Sequence, residues 1–179
     1  GTAFGAAGRR IVVEEMLQGR EASFFVLSDG TTSLELASCQ DYKRAEDADR
    51  GPNTGGMGTY SPSVWLDDAT TRILRETVVA PTVRGLAAEG RPFRGVLFIG
   101  VMLTDTGPKV LEYNARFGDP ETQVLMPRLD GDWLALLHAC SRGELRKVSL
   151  NWRTAASVCV VMASSGYPGP YAKGRPIEG

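Results

Sequence analysis

A carboxylate and an amide two residues apart, Glu112 and Asn114, are the side chains of this sequence best suited to chemistry. They end the strand-like run Lys109-Val-Leu-Glu-Tyr-Asn114. Alternation along a strand puts Glu112 and Asn114 on one face and Leu111 and Tyr113 on the other. Two oxygen donors then meet in one place. A carboxylate and an amide carbonyl suit a hard cation, and Mg²⁺ usually takes only one or two protein oxygens while phosphates and waters complete its octahedron. Arg116 adds a planar guanidinium for a phosphate or carboxylate. Taken alone, the same pair also describes a strand whose polar face is solvated.

The stretch Gly51-Pro-Asn-Thr-Gly-Gly-Met-Gly58 holds four glycines in eight residues, a density that predicts a loop. It matches neither the P-loop nor the dinucleotide-binding pattern. Its glycines would let backbone N–H groups converge on an anion without Cβ obstruction, with Asn53 and Thr54 adding polar side chains. Lys43 and Arg44 bring positive charge just upstream. A plain flexible turn and a solvated face account for these residues equally well. A third segment, Val12-Val13-Glu14-Glu15-Met16-Leu17, reads as an apolar strand ending in two carboxylates. Such an edge can hydrogen-bond an adenine through its backbone while Met16 and Leu17 sandwich the ring. The competing reading is a strand exit whose glutamates face water.

The elements that must position these residues follow from pattern. Arg10 to Leu17 and Glu21 to Leu27 read as strands, and Asp29-Gly30 predicts a hairpin to Ser33–Ser38. A helix capped by Asp67 or Asp68 should carry Leu74, Val78, Val79, Val83, Leu86 and Ala87 inward, kink at Pro81 and stop at Gly90. Val96 to Leu103 is apolar throughout, as expected of a strand covered on both faces. The Thr104–Gly107 turn leads on to the Lys109–Asn114 strand. A further helix should start with Asp119 as cap and Pro120 at its first position, and another should run from Trp133 to Gly143. Ala155 to Met162 reads as a last strand. Strands and helices do not alternate regularly, which predicts an α+β fold with an antiparallel sheet.

Composition narrows the partners. The chain has 179 residues, of which 42% are hydrophobic and 23% charged, enough for a packed core and about one domain or one with part of another. Twenty Lys+Arg against 21 Asp+Glu leave a net charge of −1 with no basic block, so nucleic acid and anionic membrane are poor partners and a small molecule is the better one. No apolar run approaches the ~20 residues of a bilayer span, and the expected compartment is the cytoplasm. Cys39, Cys140 and Cys159 are odd in number and far apart, which argues against a disulfide framework or a zinc site. The lone His138 falls off the stripe formed by Trp133, Leu136, Leu137 and Cys140 and is read as a surface residue.

In their order these segments resemble the phosphoribosylamine–glycine ligase family of the ATP-grasp ligases. The resemblance rests on Val13-Glu14-Glu15-Met16-Leu17 with Gly19 and Glu21-Ala22-Ser23, and on Gln40-Asp41-Tyr42-Lys43-Arg44. It rests also on Gly51 to Gly58 with Tyr60-Ser61-Pro62, on Glu112 to Glu121, and on Val161 to Gly169. It implies the C-terminal portion of an ATP-grasp fold over 1–147, largely antiparallel sheet with flanking helices, and the start of a small β-rich domain over 148–179. It implies an ATP-dependent ligase that joins glycine to 5-phosphoribosylamine through glycyl phosphate, giving glycinamide ribonucleotide, ADP and phosphate in purine biosynthesis. ATP would be held by Glu14, Glu15, Met16 and Leu17 at the adenine, Glu21 at the ribose and Asn53 at the phosphates. Glu112 and Asn114 would ligate Mg²⁺ or Mn²⁺, and Lys43, Arg116 and Asp119 would serve catalysis. Asp41, Arg44, Thr54, Gly55, Gly56, Met57 and Gly58 would contact substrate.

Tyr42 departs from the family's usual histidine. The family's upstream half of the ATP-grasp module is also absent, so the resemblance implies a piece of a longer enzyme that alone binds Mg-ATP weakly and turns over negligibly. Another ATP-grasp carboxylate–amine ligase and a non-catalytic nucleotide-binding module are the alternatives. Oligomeric state is not legible.

Overall fold

Residues 22–27 and 96–101 are mostly apolar, and the computed structural model, which describes residues 2–178, pairs them at the centre of the fold. β1 (Arg20–Asp29) runs antiparallel to β5 (Arg94–Thr104) from Arg20↔Leu103 to Asp29↔Arg94 without a register break. β2 (Ser33–Glu35) flanks β1 and β6 (Gly107–Asn114) flanks β5, giving a four-stranded sheet of order β2-β1-β5-β6. Both of its faces are covered. Phe25, Leu27, Val96 and Phe98 pack on one face with Val124 and Leu125 of α3 (Glu121–Leu125) and Leu136 and Cys140 of α4 (Trp133–Arg142). Phe24, Val26, Leu97, Ile99 and Val101 pack on the other with Leu74 of α1 (Asp68–Leu74), Val79, and Val83 of α2 (Ala80–Ala88). Burial on both sides is why these strands read as unbroken apolar runs.

The expected helix ends hold in most cases. Asp67 caps α1 by accepting from the Thr70 N–H at 2.7 Å, and Gly143 closes α4 in the left-handed conformation at φ 77°. The kink expected at Pro81 takes the form of a π turn, Arg75–Val79, between α1 and α2. Proline has no N–H to return to the preceding turn, and the backbone widens there. α3 begins at Glu121, one residue later than expected, with Pro120 at its cap position. The Asp119 carboxylate accepts instead from Gln123 Nε2 at 2.8 Å. His138 is exposed, and all three cysteines are free.

Three expectations require correction. Residues 51–58 are not a loop but lie within β4 (Arg50–Ser61), the middle strand of a second sheet between β3 (Gln40–Glu46) and β7 (Ser157–Val160). Its glycines serve close approach: a Cβ on Gly56 would lie 2.5 Å from Pro120 Cδ, and one on Gly58 would lie 3.0 Å from the Cys159 carbonyl oxygen. Residues 10–17 form no strand; Ile11, Val12, Val13 and Met16 are exposed, with no ladder partner among the described residues. The last strand is shorter than expected, 157–160 rather than 155–162.

A bridge between Ser23 of β1 and Cys39, the residue before β3, links the two sheets, and the second sheet is held to the segment after α3 by Arg128, a buried side chain. Its guanidinium donates to Ser61 Oγ at 2.9 Å and to the carbonyls of Arg153 and Ala155 at 2.9 and 3.1 Å. No helix among the described residues is long and apolar enough to cross a membrane.

Candidate functional site

The sheet face that buries Phe25 and Phe98 becomes polar toward its other end. Cross-strand partners share a face, and the pairs Ser23↔Gly100, Gly100↔Glu112, Phe98↔Asn114 and Glu21↔Met102 place Glu21, Ser23, Glu112 and Asn114 together. A bulge between Gly100 and Val101 leaves Leu111 as the extra residue of β6, so Glu112 meets Gly100, where a Cβ would crowd its Cγ at 3.3 Å. Tyr113 takes the opposite face, its hydroxyl 3.1 Å from Thr82 Oγ1.

β3 crosses over this polar end. Gln40 Nε2 donates to the Glu21 carbonyl at 2.5 Å, and Lys43 Nζ lies 3.2 Å from Glu21 Oε2. Between β3 and residues 19–21 opens a cleft of about 360 Å³ lined by Glu21, Asp41, Lys43, Arg44, Asn53 and Met102. Arg20 and Trp65 line it too, the guanidinium stacked 3.7 Å from the indole centre. Burial works against the Lys43 ammonium, but Glu21, Asp41 and Glu112 outweigh it and hold its pKa above the ordinary lysine value. The Asp41 pKa is raised as well, to about 7, by burial and then by the Glu121 carboxylate, with Lys43 opposing.

Asn114 Nδ2 donates to Glu112 Oε1 at 3.1 Å, and Arg116 Nη2 donates to Asn114 Oδ1 at 3.4 Å. A carboxylate, an amide and a guanidinium therefore stand in line beside the cleft. The orientation of an amide follows from its hydrogen-bond network, and a half-turn of the Asn114 amide brings its oxygen beside Glu112 Oε1. The donor set then fits one hard cation through two protein oxygens. Among the described residues no group of three or more His, Cys, Asp or Glu could hold a metal by itself. This pair therefore suits a cation whose remaining ligands come from phosphate and water.

Five of the residues singled out in the sequence thus line one cleft, and Glu112 reaches it through Lys43. Asn114 and Arg116 stand beside it in line with Glu112, and the remaining candidates lie apart. Glu14, Glu15 and Met16 are exposed on the segment before β1, Leu17 is half-buried, and Glu15 Oε2 pairs with Lys109 Nζ at 2.9 Å. Thr54 supports the hairpin, its hydroxyl donating to the Lys43 carbonyl at 2.8 Å and accepting from Gly56 N–H at 3.0 Å. Gly55 N–H donates to the Tyr167 hydroxyl at 3.3 Å, and the Met57 carbonyl accepts from Val161 N–H at 2.9 Å. These backbone groups are thus already paired within the protein.

Sequence reasoning did not single out Ser23 and Glu121. Glu121 is 2% exposed, and its Oε1 accepts from Ser23 Oγ at 3.0 Å across 98 residues. The available signal was an acid following Gly118 by three: a Cβ on that glycine would collide with the Glu121 carboxylate.

Residues 1–122 match the family described as phosphoribosylglycinamide synthetase, ATP-grasp (A) domain. The chain is 54% identical over 175 residues to phosphoribosylamine–glycine ligase of Agrobacterium fabrum, covering 98% of this chain and 41% of that protein. It thus spans about two-fifths of that curated relative's length. The crystal structure of phosphoribosylamine–glycine ligase from Thermotoga maritima superposes with a TM-score of 0.80 at 36% identity, covering 89% of this chain and 40% of that one. An L-amino acid ligase from Bacillus licheniformis shares the fold, with a TM-score of 0.56 at 16% identity over 84% of this chain and 37% of its own.

Proposed function

The chain belongs to the phosphoribosylglycinamide synthetase ATP-grasp domain family, and from that premise we propose that it forms part of an ATP-dependent ligase joining glycine to 5-phosphoribosylamine in purine biosynthesis. The glycine carboxylate takes the γ-phosphoryl group of ATP, giving glycyl phosphate and ADP. The amine then displaces phosphate to give glycinamide ribonucleotide. The observation that carries this reading is the cleft in which Lys43 sits among Glu21, Asp41 and Glu112, next to the line of Glu112, Asn114 and Arg116.

Phosphoryl transfer asks mainly for positioning and charge neutralisation. Lys43 and Arg116 supply positive charge for the carboxylate and phosphoryl oxygens, and Asp119 stands with them near the reacting groups. Glu112 and Asn114 would hold Mg²⁺ or Mn²⁺, which when bound neutralises phosphate charge. Glu21 accepts from the ribose hydroxyls, residues 14–17 offer backbone groups to the adenine, and Asn53 faces the phosphates. Asp41, Arg44 and the 54–58 stretch of β4 border the acceptor substrate. We assign residues 1–147 to the ATP-grasp domain and 148–179 to the start of a second domain, and place the enzyme in the cytoplasm.

This activity is proposed for the whole protein that carries the sequence, since the chain covers 41% of the Agrobacterium relative; the 179 residues alone are expected to bind Mg-ATP weakly. The test is ADP release by the whole protein with Mg-ATP. Release that needs both glycine and 5-phosphoribosylamine is expected. Release that ignores either, or that another carboxylate and amine support better, overturns the reading.

A further inference from the structure

Asp41 stands where the cleft meets the packed interior. It lines the cleft beside Glu21 and Lys43, yet its Oδ1 is buried and has no hydrogen-bond partner. That oxygen is walled in by β4 and the turn before α3: a Cβ on Gly56 would lie 2.9 Å from it and 2.5 Å from Pro120 Cδ. The neighbouring cation, Lys43, pairs with Glu21 at 3.2 Å. Behind Asp41 lies Glu121, 2% exposed and held by the Ser23 hydroxyl at 3.0 Å. A carboxylate with one unpartnered buried oxygen beside a second buried carboxylate is poorly stabilised as an anion.

Resting on the ligase reading above, we propose that Asp41 is the catalytic base that takes the proton of the attacking amine, and that Glu121, buried behind it, is the positioning residue that acts through it. In that step the amine nitrogen forms a C–N bond to the acyl carbon. The C–O bond to phosphate breaks, its electron pair leaving on the phosphate oxygen, and the surplus proton on nitrogen passes to the Asp41 carboxylate. An ordinary exposed aspartate is a weak base, whereas a general base works best with its pKa near the operating pH. Burial and Glu121 raise Asp41 to about 7, and this is the direction the task requires. The charged and titratable groups that act on it are Glu121 from α3, Glu21 from β1, Lys43 on its own strand and the buried thiol of Cys39. Arg20, Arg44 and Asp49 line the outer cleft.

The test uses the whole ligase and the pH dependence of kcat/KM for 5-phosphoribosylamine. Glu121→Gln keeps an acceptor for Ser23 but removes the like charge, so the acid limb should move to lower pH by about one pH unit. Asp41→Asn should lower kcat/KM by about 100-fold or more and abolish that limb. Carboxyl-carbon NMR titration of Asp41 reads the same coupling without turnover, with a midpoint near neutrality in the wild type that falls in Glu121→Gln. A wild-type midpoint in the usual aspartate range, or a limb unmoved in folded Glu121→Gln, overturns the proposal, as does Asp41→Asn retaining its rate within a few-fold. A wild type that titrates as expected but releases no ADP with both substrates overturns the ligase reading instead.

Discussion

Glu112 is the residue whose loss should speak most directly, because the line of Glu112, Asn114 and Arg116 offers a cation only two oxygen-bearing side chains. Removing one leaves a single amide donor. In the whole protein Glu112→Ala should weaken Mn-ATP binding at least about tenfold, read by calorimetry or by the manganese EPR signal. Unchanged affinity would remove Glu112 from the metal site. This pair was legible because alternation along a strand is local. Asp29 shows where legibility stops. The Asp29-Gly30 pair announces the turn, and Asp29 Oδ1 duly accepts from Thr31 and Thr32. Its Oδ2 also accepts from Leu145 N–H at 3.1 Å, a tie across 116 residues that no local pattern carries. Burial disfavours the Asp29 charge, yet these hydrogen bonds outweigh it and hold the pKa below 3.8. Its contribution to stability is therefore complete above that value and lost as pH falls through the lower, folded one. Asp29→Ala should cost roughly 2–3 kcal/mol in denaturant unfolding at neutral pH, with the difference from wild type shrinking in acid.

At the scale of elements, β4 was the part least legible in advance. Four glycines in eight residues describe a loop by composition, whereas the strand needs them because of what surrounds it: Pro120 and Asp41 against Gly56, and the Cys159 carbonyl against Gly58. None of these neighbours is adjacent in sequence. Gly56 also has φ +124°, which an L side chain rarely adopts. Gly56→Ala should destabilise by about 2 kcal/mol or more. Gly85 lies in the interior of α2, with nothing within 4 Å of an added Cβ. Gly85→Ala should stabilise by about 0.5–1 kcal/mol. Thermal unfolding of the two variants separates a glycine kept for space from one that is merely tolerated, and equal shifts would refute the distinction. The central strands were legible for the opposite reason: burial on both faces writes itself directly into residue type.

Across the whole molecule, stability should be graded by how much each segment is covered. β1 and β5 pair along ten residues and are packed from both sides, so their amides should exchange only as the fold opens globally. Residues 11–18 have the composition of a strand but lack a ladder, with Ile11, Val12, Val13 and Met16 each at least 78% exposed. An apolar, β-branched run states what a segment does once it has a neighbour; it does not state who the neighbour is. In native-state hydrogen exchange on this 179-residue chain, the amides of 11–18 should therefore show almost no protection while those of β1 and β5 track the unfolding free energy. Protection of 11–18 comparable to β1 would mean that the segment has found a strand partner in solution. Dilution would then separate the two sources, since pairing between copies weakens with concentration and pairing within one chain does not.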